Sequence, residues 1–177
     1  MMGVVFAPMT NELYIGVKNH GAYRNGVRIR GGFINSKKTL KESVVCFEFG
    51  YSRSDDSVEK MTSAISNILM HGCKSCKCLG SGVLDLCYVA RGSIDVVYTG
   101  VVDEGWKPWD YCAATVICCE AGCAAKTLHD EHDGGVFNIY SQSMVFGVNK
   151  ALVNECRNVV LKSHMINLNV VGARIKF

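Results

Sequence analysis

The stretch "GWKPWDYCAATVICCEAG", Gly105–Gly122, decides how the rest of the chain is read. Pro108 fixes the entry into a helix. Asp110, Ala113, Ala114, Ile117 and Ala121 then fall at i, i+3, i+4, i+7 and i+11, on one stripe. The Asp110 carboxylate therefore points with the packed face and not toward bulk water, and a carboxylate so placed needs a partner. One reading is a cap: exposed amides and the dipole favour an acid near a helix start by about 0.5–2 kcal/mol. The other is a ligand for a metal.

Two neighbouring stretches bear on that choice. "TGVVDEGWKPWD" puts Asp103 and Glu104 in a loop that returns to Asp110. Three carboxylates brought close repel unless a cation or the hydroxyls of a sugar lie between them, so a divalent site is conceivable, against the plainer reading of a solvated loop. "LGSGVLDL" places Gly80, Ser81 and Gly82 in a turn ahead of a helix. Such a turn lets the backbone approach a ligand, and Ser81 can cap the helix or donate to a polar substrate, although turns of this type also serve purely structural ends.

Working outward, residues 3–30 read as an antiparallel meander of two or three strands, punctuated by "PMTN", "NHG" and "RNG" turns. "SVVCFEF" is a strand. "DDSVEKMTSAISNILMHG" is a helix with Val58, Met61, Ile65 and Leu69 at helical spacing, acids at its front and Gly72 at its end. Helix "GVLDLCYVARG", strand "SIDVVYTG", the Trp-Asp helix, strand "AAKTLHD", a turn at "EHDGG", strand "SMVFGVN" and a last helix from Lys150 to about Leu161 complete the pattern, the last with Leu152, Val153, Cys156 and Val160 on one face. The alternation predicts a layered α/β (α+β) architecture. The tail "NLNVVGARIKF" carries no clear signal.

Composition narrows the classes. With 177 residues, 49% hydrophobic and 20% charged, the chain is long enough to bury one core. A net charge of +3 without clustered basic runs argues against a nucleic-acid partner, and no stretch reaches membrane-helix length. Ten cysteines without a signal-peptide pattern at the amino terminus read as reduced thiols in a cytoplasmic protein. "CKSCKC" (Cys73, Cys76, Cys78) opens like a zinc site, for which His129 and His132 of "HDEHD" would have to supply the rest, at an unconvincing distance. No serine or cysteine pairs with a histidine as in a hydrolase triad.

"GVVFAPMTNELYIGVKNHGAYRNGVRI", "LGSGVLDLCYVARGSIDVVY" and "PWDYCAATVICCEAGC" stand in the order and spacing of the carboxy-terminal portion of the inositol monophosphatase family. The last resembles the family's Trp-Asp…Glu-Ala-Gly signature, and the likeness spans about residues 3–160. It implies a single partial domain over 1–177 with part of a layered α-β-α-β-α sugar-phosphatase-like fold. It also implies Mg²⁺-dependent hydrolysis of a small-molecule phosphate ester, inositol monophosphate, and a homodimer when complete. By the same resemblance Asp110 is a metal ligand that also contacts substrate, and Gly80, Ser81 and Gly82 match the turn that holds the inositol ring. An acid before the Trp-Asp pair binds a substrate hydroxyl there; the loop is longer here, so Asp103, Glu104 or neither takes that role.

The chain departs from the family's pattern at several points. Gly82 stands where alanine is usual, and Cys123 replaces the second signature glycine. The family's Gly-Glu-Glu and Asp-Pro-x-Asp-Gly-Thr segments, which carry its other metal ligands, do not occur in these 177 residues. One aspartate cannot assemble a site in which metal-activated water attacks phosphorus, so no catalytic residue is firm in this chain and it is expected to be incomplete and inactive alone. The alternatives are a related bisphosphate nucleotidase or sugar bisphosphatase, a catalytically dead binding or dimerising paralogue, and last a zinc-binding module on Cys73, Cys76 and Cys78.

Overall fold

A computed structural model describes residues 1–129 and 138–162. The "EHDGG" turn, His132, His164 and the carboxy-terminal tail lie outside the described residues. The meander forms four strands, β1 (Met2–Ala7), β2 (Glu12–Val17), β3 (Gly21–Arg24) and β4 (Val27–Ile29), paired antiparallel in chain order. Asn11, Asn19 and Asn25 sit in its turns at positive φ, the conformation for which Asn is well suited.

A short helix, α1 (Gly31–Ile34), and one 3₁₀ turn (Leu40–Glu42) lead into β5 (Val44–Glu48). Helix α2 (Asp55–His71), β6 (Ser75–Lys77), α3 (Gly82–Arg91), β7 (Val96–Thr99), α4 (Pro108–Glu120), β8 (Ala124–Thr127), β9 (Met144–Gly147) and α5 (Lys150–Val160) follow. The second sheet has strand order β6-β5-β7-β9-β8, with β5 parallel to β6 and β7 and with β9 antiparallel to both neighbours. Strands β7 and β9 are buried along their whole length, as central strands covered on both faces should be. Helices α3 and α4 fill the space between the two sheets, and α2 and α5 cover the far side of the second. Sheet, helices, sheet, helices account for four of the five expected layers.

The α2 stripe differs from the one read off the sequence. Met61, Ala64 and Ile68 are the apolar residues that turn inward, with Ser57 and Asn67, whereas Val58 and Leu69 are exposed. The reason is polar. Ser54 caps the helix through the Ser57 amide and Asn67 donates to the Lys162 carbonyl, which rotates the packed face away from the most hydrophobic line.

What fixes α4 is a trough in the first sheet. Gly3 and Gly16 are directly paired across β1 and β2. A Cβ on Gly3 would lie 2.2 Å from the Ala113 carbonyl oxygen, and one on Gly16 would lie 2.7 Å from Ile117 Cα. At the far end of α4, Glu120 accepts the Asn19 and Gly21 amides at 2.9 and 2.8 Å, and those two amides hold its carboxyl below the usual carboxylate range. Behind the sheet, Glu12 pairs with Arg91 at the end of α3 (2.6 Å) and with Arg24 (2.9 Å), tying the meander to the middle layer.

Two outcomes are expected. Gly16→Val drives a branched side chain into helix backbone and should cost at least about 2 kcal/mol, read as a fall in the thermal midpoint. The outer face of β1 presents Met2, Val4 and Phe6 to solvent, Phe6 at 57% exposure, on a strand that forms the edge of its sheet. An apolar edge of this kind should drive self-association, detected by light scattering coupled to size-exclusion chromatography, and Phe6→Lys should reduce it. A monodisperse wild-type monomer would count against this account.

Candidate functional site

Strands β5 and β7 end, and helices α3 and α4 begin, at one side of the second sheet. Open α/β sheets place their clefts at such strand ends. A cleft of about 480 Å³ lies there, lined by Glu48 at the end of β5, Phe49 and Tyr51 just after it, Gly80 and Gly82 at the head of α3, Thr99 at the end of β7, and the segment from Glu104 to Asp110 except Pro108. The amino termini of α3 and α4 thus border the same opening and bring two positive dipole ends to it.

Asp110 is the third residue of α4 and reaches back, so that the Lys107 N–H donates to its Oδ2 at 2.8 Å. That is half of a capping box, and Lys107 has no acceptor with which to complete it. Oδ1 is left for a donor or a cation, so capping and ligation do not compete for the same oxygen. The loop before it is clamped by backbone contact: a Cβ on Gly100 or Gly105 would collide with the Gln142 carbonyl oxygen at 2.0 or 1.8 Å. Lys107 Nζ donates to Gln142 Oε1, and Tyr111 OH donates to the Ser141 carbonyl at 2.7 Å.

This clamp separates the two acids of the loop. Glu104 lines the cleft and accepts the Ser52 amide. Asp103 adopts a positive φ, its side chain is 79% exposed, and it faces His129 at 3.8 Å. Of the two acids, Glu104 lines the cleft with Asp110 and Asp103 does not. Ser81 occupies the cap position of α3, yet its hydroxyl makes no cap bond. Trp106 lies across Gly82, where a Cβ would stand 2.4 Å from ring atom Cε2; the glycine found where alanine is usual is thus explained by the indole above it.

Sequence reasoning missed the group behind the turn. Glu48 Oε1 accepts the Leu79 and Gly80 amides at 3.0 and 2.7 Å and so holds the Gly80 turn in place. Asp85, on the first turn and a half of α3, is fully buried, and burial first, then the charge of Glu48, pushes its carboxyl up to about 7. Cys46 completes a cluster with these two acids. The signal was present in "GVLDL", an aspartate inside an apolar helix, and in the single acid of "CFEF".

Among the described residues the zinc candidates do not assemble. Cys73 and Cys76 face one another at 3.5 Å, but Cys78 turns to Glu48, and His129 is held by the Gly100 and Val101 carbonyls. A second cavity of about 370 Å³, bordered by Asp56, Glu59, Lys60 and His129, contains none of the other predicted site residues.

The profile of the inositol monophosphatase family matches residues 1–165. The chain is 37% identical over 141 residues to inositol monophosphatase 1 of Solanum lycopersicum, covering 80% of this chain and 48% of that protein. It is 36% identical over 121 residues to the Nus factor SuhB of Pasteurella multocida, covering 68% of this chain and 42% of that protein. The solved structure of the Thermotoga maritima IMPase superposes with a TM-score of 0.70 at 28% identity, covering 90% of this chain and 55% of that one. The chain spans about half the length of the curated relatives it matches.

Because Trp106 occupies the space above Gly82, Gly82→Ala should destabilise by about 1–3 kcal/mol, the usual cost of overpacking. Adding Trp106→Leu should recover part of that loss, and a double-mutant thermal cycle measures the coupling.

Proposed function

The chain belongs to the inositol monophosphatase family, and from that premise we propose that it is the carboxy-terminal half of a Mg²⁺-dependent phosphomonoesterase acting on inositol monophosphate. The observation that carries this reading is the gathering of the Gly80–Gly82 turn, Glu104 and Asp110 at the mouth shared by the heads of α3 and α4. Converging helix starts favour an anionic ester, and the carboxylates favour the hydroxyls and cations that accompany it.

The donors fit a share of a Mg²⁺ shell. Asp110 offers a hard oxygen that is not used by its cap, and Mg²⁺ is usually held by one or two carboxylates together with substrate phosphate. Asp110 would hold the ion, which supplies neutralisation of phosphate charge when bound. The remaining work falls to the chain's own groups. The Gly80–Gly82 backbone and the uncommitted Ser81 hydroxyl receive the ring of the substrate. Glu104, and not the outward-facing Asp103, accepts a ring hydroxyl. Trp106, seated over Gly82, walls the turn from water. These residues supply binding and orientation but not the full set of metal ligands, so the chain alone should release phosphate from inositol monophosphate at close to the background rate.

A second reading has its own support: one relative at 36% identity is a Nus factor, SuhB, which favours a binding or dimerising role for a chain without a complete metal site.

The test uses the chain joined to the amino-terminal half of a relative, with phosphate release from inositol monophosphate as the readout. Asp110→Asn keeps a capping side chain, so the metal-free melting temperature should change little. Activity should fall by a factor on the order of a hundred or more, because the charge that holds the cation is gone. An Asp110→Asn protein that keeps most of its activity would reduce Asp110 to a cap and overturn the assignment.

A further inference from the structure

We propose that Cys46, Glu48 and Asp85 form a site for a thiophilic divalent cation of the Zn²⁺ class, behind the Gly80 turn and with a ligand set that does not include Asp110. One ligand atom from each of the three lies within 4.8 Å of the others. Asp85 is 0% exposed, neither of its carboxylate oxygens has a partner at good hydrogen-bond geometry, and the groups that face it are the Cys46 thiol and the Glu48 carboxylate. A buried carboxylate facing another carboxylate is costly, and among the described residues no lysine or arginine offsets it; a bound cation would.

The surroundings have the character of a prepared shell. Glu48 commits Oε1 to the Leu79 and Gly80 amides, which fixes the plane of the carboxylate and leaves Oε2 for a ligand. This is how outer contacts orient a metal-binding group. Cys78 Sγ lies 3.7 Å from that Oε2 and provides a second thiol at the open side. Sulfur with carboxylate oxygen selects Zn²⁺ or its analogues, whereas Mg²⁺ takes oxygen alone. Binding replaces the Cys46 S–H bond with a metal–sulfur bond and releases the proton to solvent, so no electron changes hands. The position matters because the same Glu48 braces the turn that lines the cleft: an ion here would lock β5, the Gly80 turn and α3 together.

The site is independent of the phosphatase reading, since its test measures metal and not turnover. The full chain, reduced and freed of metal by a chelator, is titrated with Cd²⁺ as a probe, and the thiolate charge-transfer absorbance is followed. One equivalent should bind to a Cys73→Ser, Cys76→Ser double variant, in which the neighbouring thiol pair is absent, and an excess of Mg²⁺ should not displace it. Cys46→Ser should abolish that equivalent, and Asp85→Asn should weaken it by at least about tenfold, the cost of losing even a supporting contact of a metal site. Far-ultraviolet circular dichroism checks the folding of each variant, and if Cys46→Ser does not fold, the nearly isosteric Asp85→Asn decides alone. The proposal fails if the double variant shows no thiolate band, if the band survives in a folded Cys46→Ser variant, or if Asp85→Asn binds Cd²⁺ as tightly as its parent.

Discussion

The seating of α4 on the Gly3–Gly16 trough is the contact on which the cleft depends. Most helix–sheet packing passes through side chains, whose rotamers absorb small shifts. Here helix backbone meets sheet backbone, and the first atom of any side chain at Gly3 or Gly16 would overlap it. The close approach therefore restricts the axial position and rotation of α4. Asp110 sits on the first turn of that helix, so the contact that orders the middle layer also sets where its carboxylate lies.

A second clamp works from the opposite side. Gly100 and Gly105 press on the Gln142 carbonyl, and Tyr111 reaches the backbone at Ser141. Between the trough and this clamp the loop from Gly100 to Lys107 has little freedom despite its length. That restraint explains the separation of two adjacent acids: once Gly105 is pinned, Glu104 faces the cleft, and Asp103 is left in a left-handed turn beside His129.

Much of this was legible in the sequence wherever one local signal controlled the outcome. The Asn-Gly and His-Gly turns mark the meander, Pro108 marks the start of α4, and the stripe from Asp110 to Ala121 marks its packed face. The α2 face departs from the hydrophobic period because Ser57 and Asn67 turn inward with side-chain hydrogen bonds to Ser54 Oγ and the Lys162 carbonyl, which such a period does not record. Strand β6, only three residues long, is too short to show a period at all. Cys46, Glu48 and Asp85 come from a strand and a helix far apart along the chain, and the parallel pairing of β5 with β6 and β7 brings them together. The choice between Asp103 and Glu104 rests on a backbone contact with Gln142, which no residue type in the loop announces.

The charge distribution around the cleft follows from the same framework. Glu48, Asp85, Glu104 and Asp110 cluster where two helices begin, an arrangement that would repel itself in a uniform medium. Three of the four are relieved by main-chain donors: Glu48 by Leu79 and Gly80, Glu104 by Ser52, and Asp110 by Lys107. Those donors are amides, so they reduce the local potential without cancelling the charge, and the opening keeps a standing preference for cations and hydroxyl donors. Asp85 alone has no main-chain donor at its carboxylate, and its carboxyl answers by holding a proton to a higher pH than the ordinary carboxylate. The fold thus separates acids held by main-chain amides at the rim, where a hard cation and a polar ester can reach them, from one acid in the interior whose charge is balanced by a proton or by an ion that enters beside the Cys46 thiol.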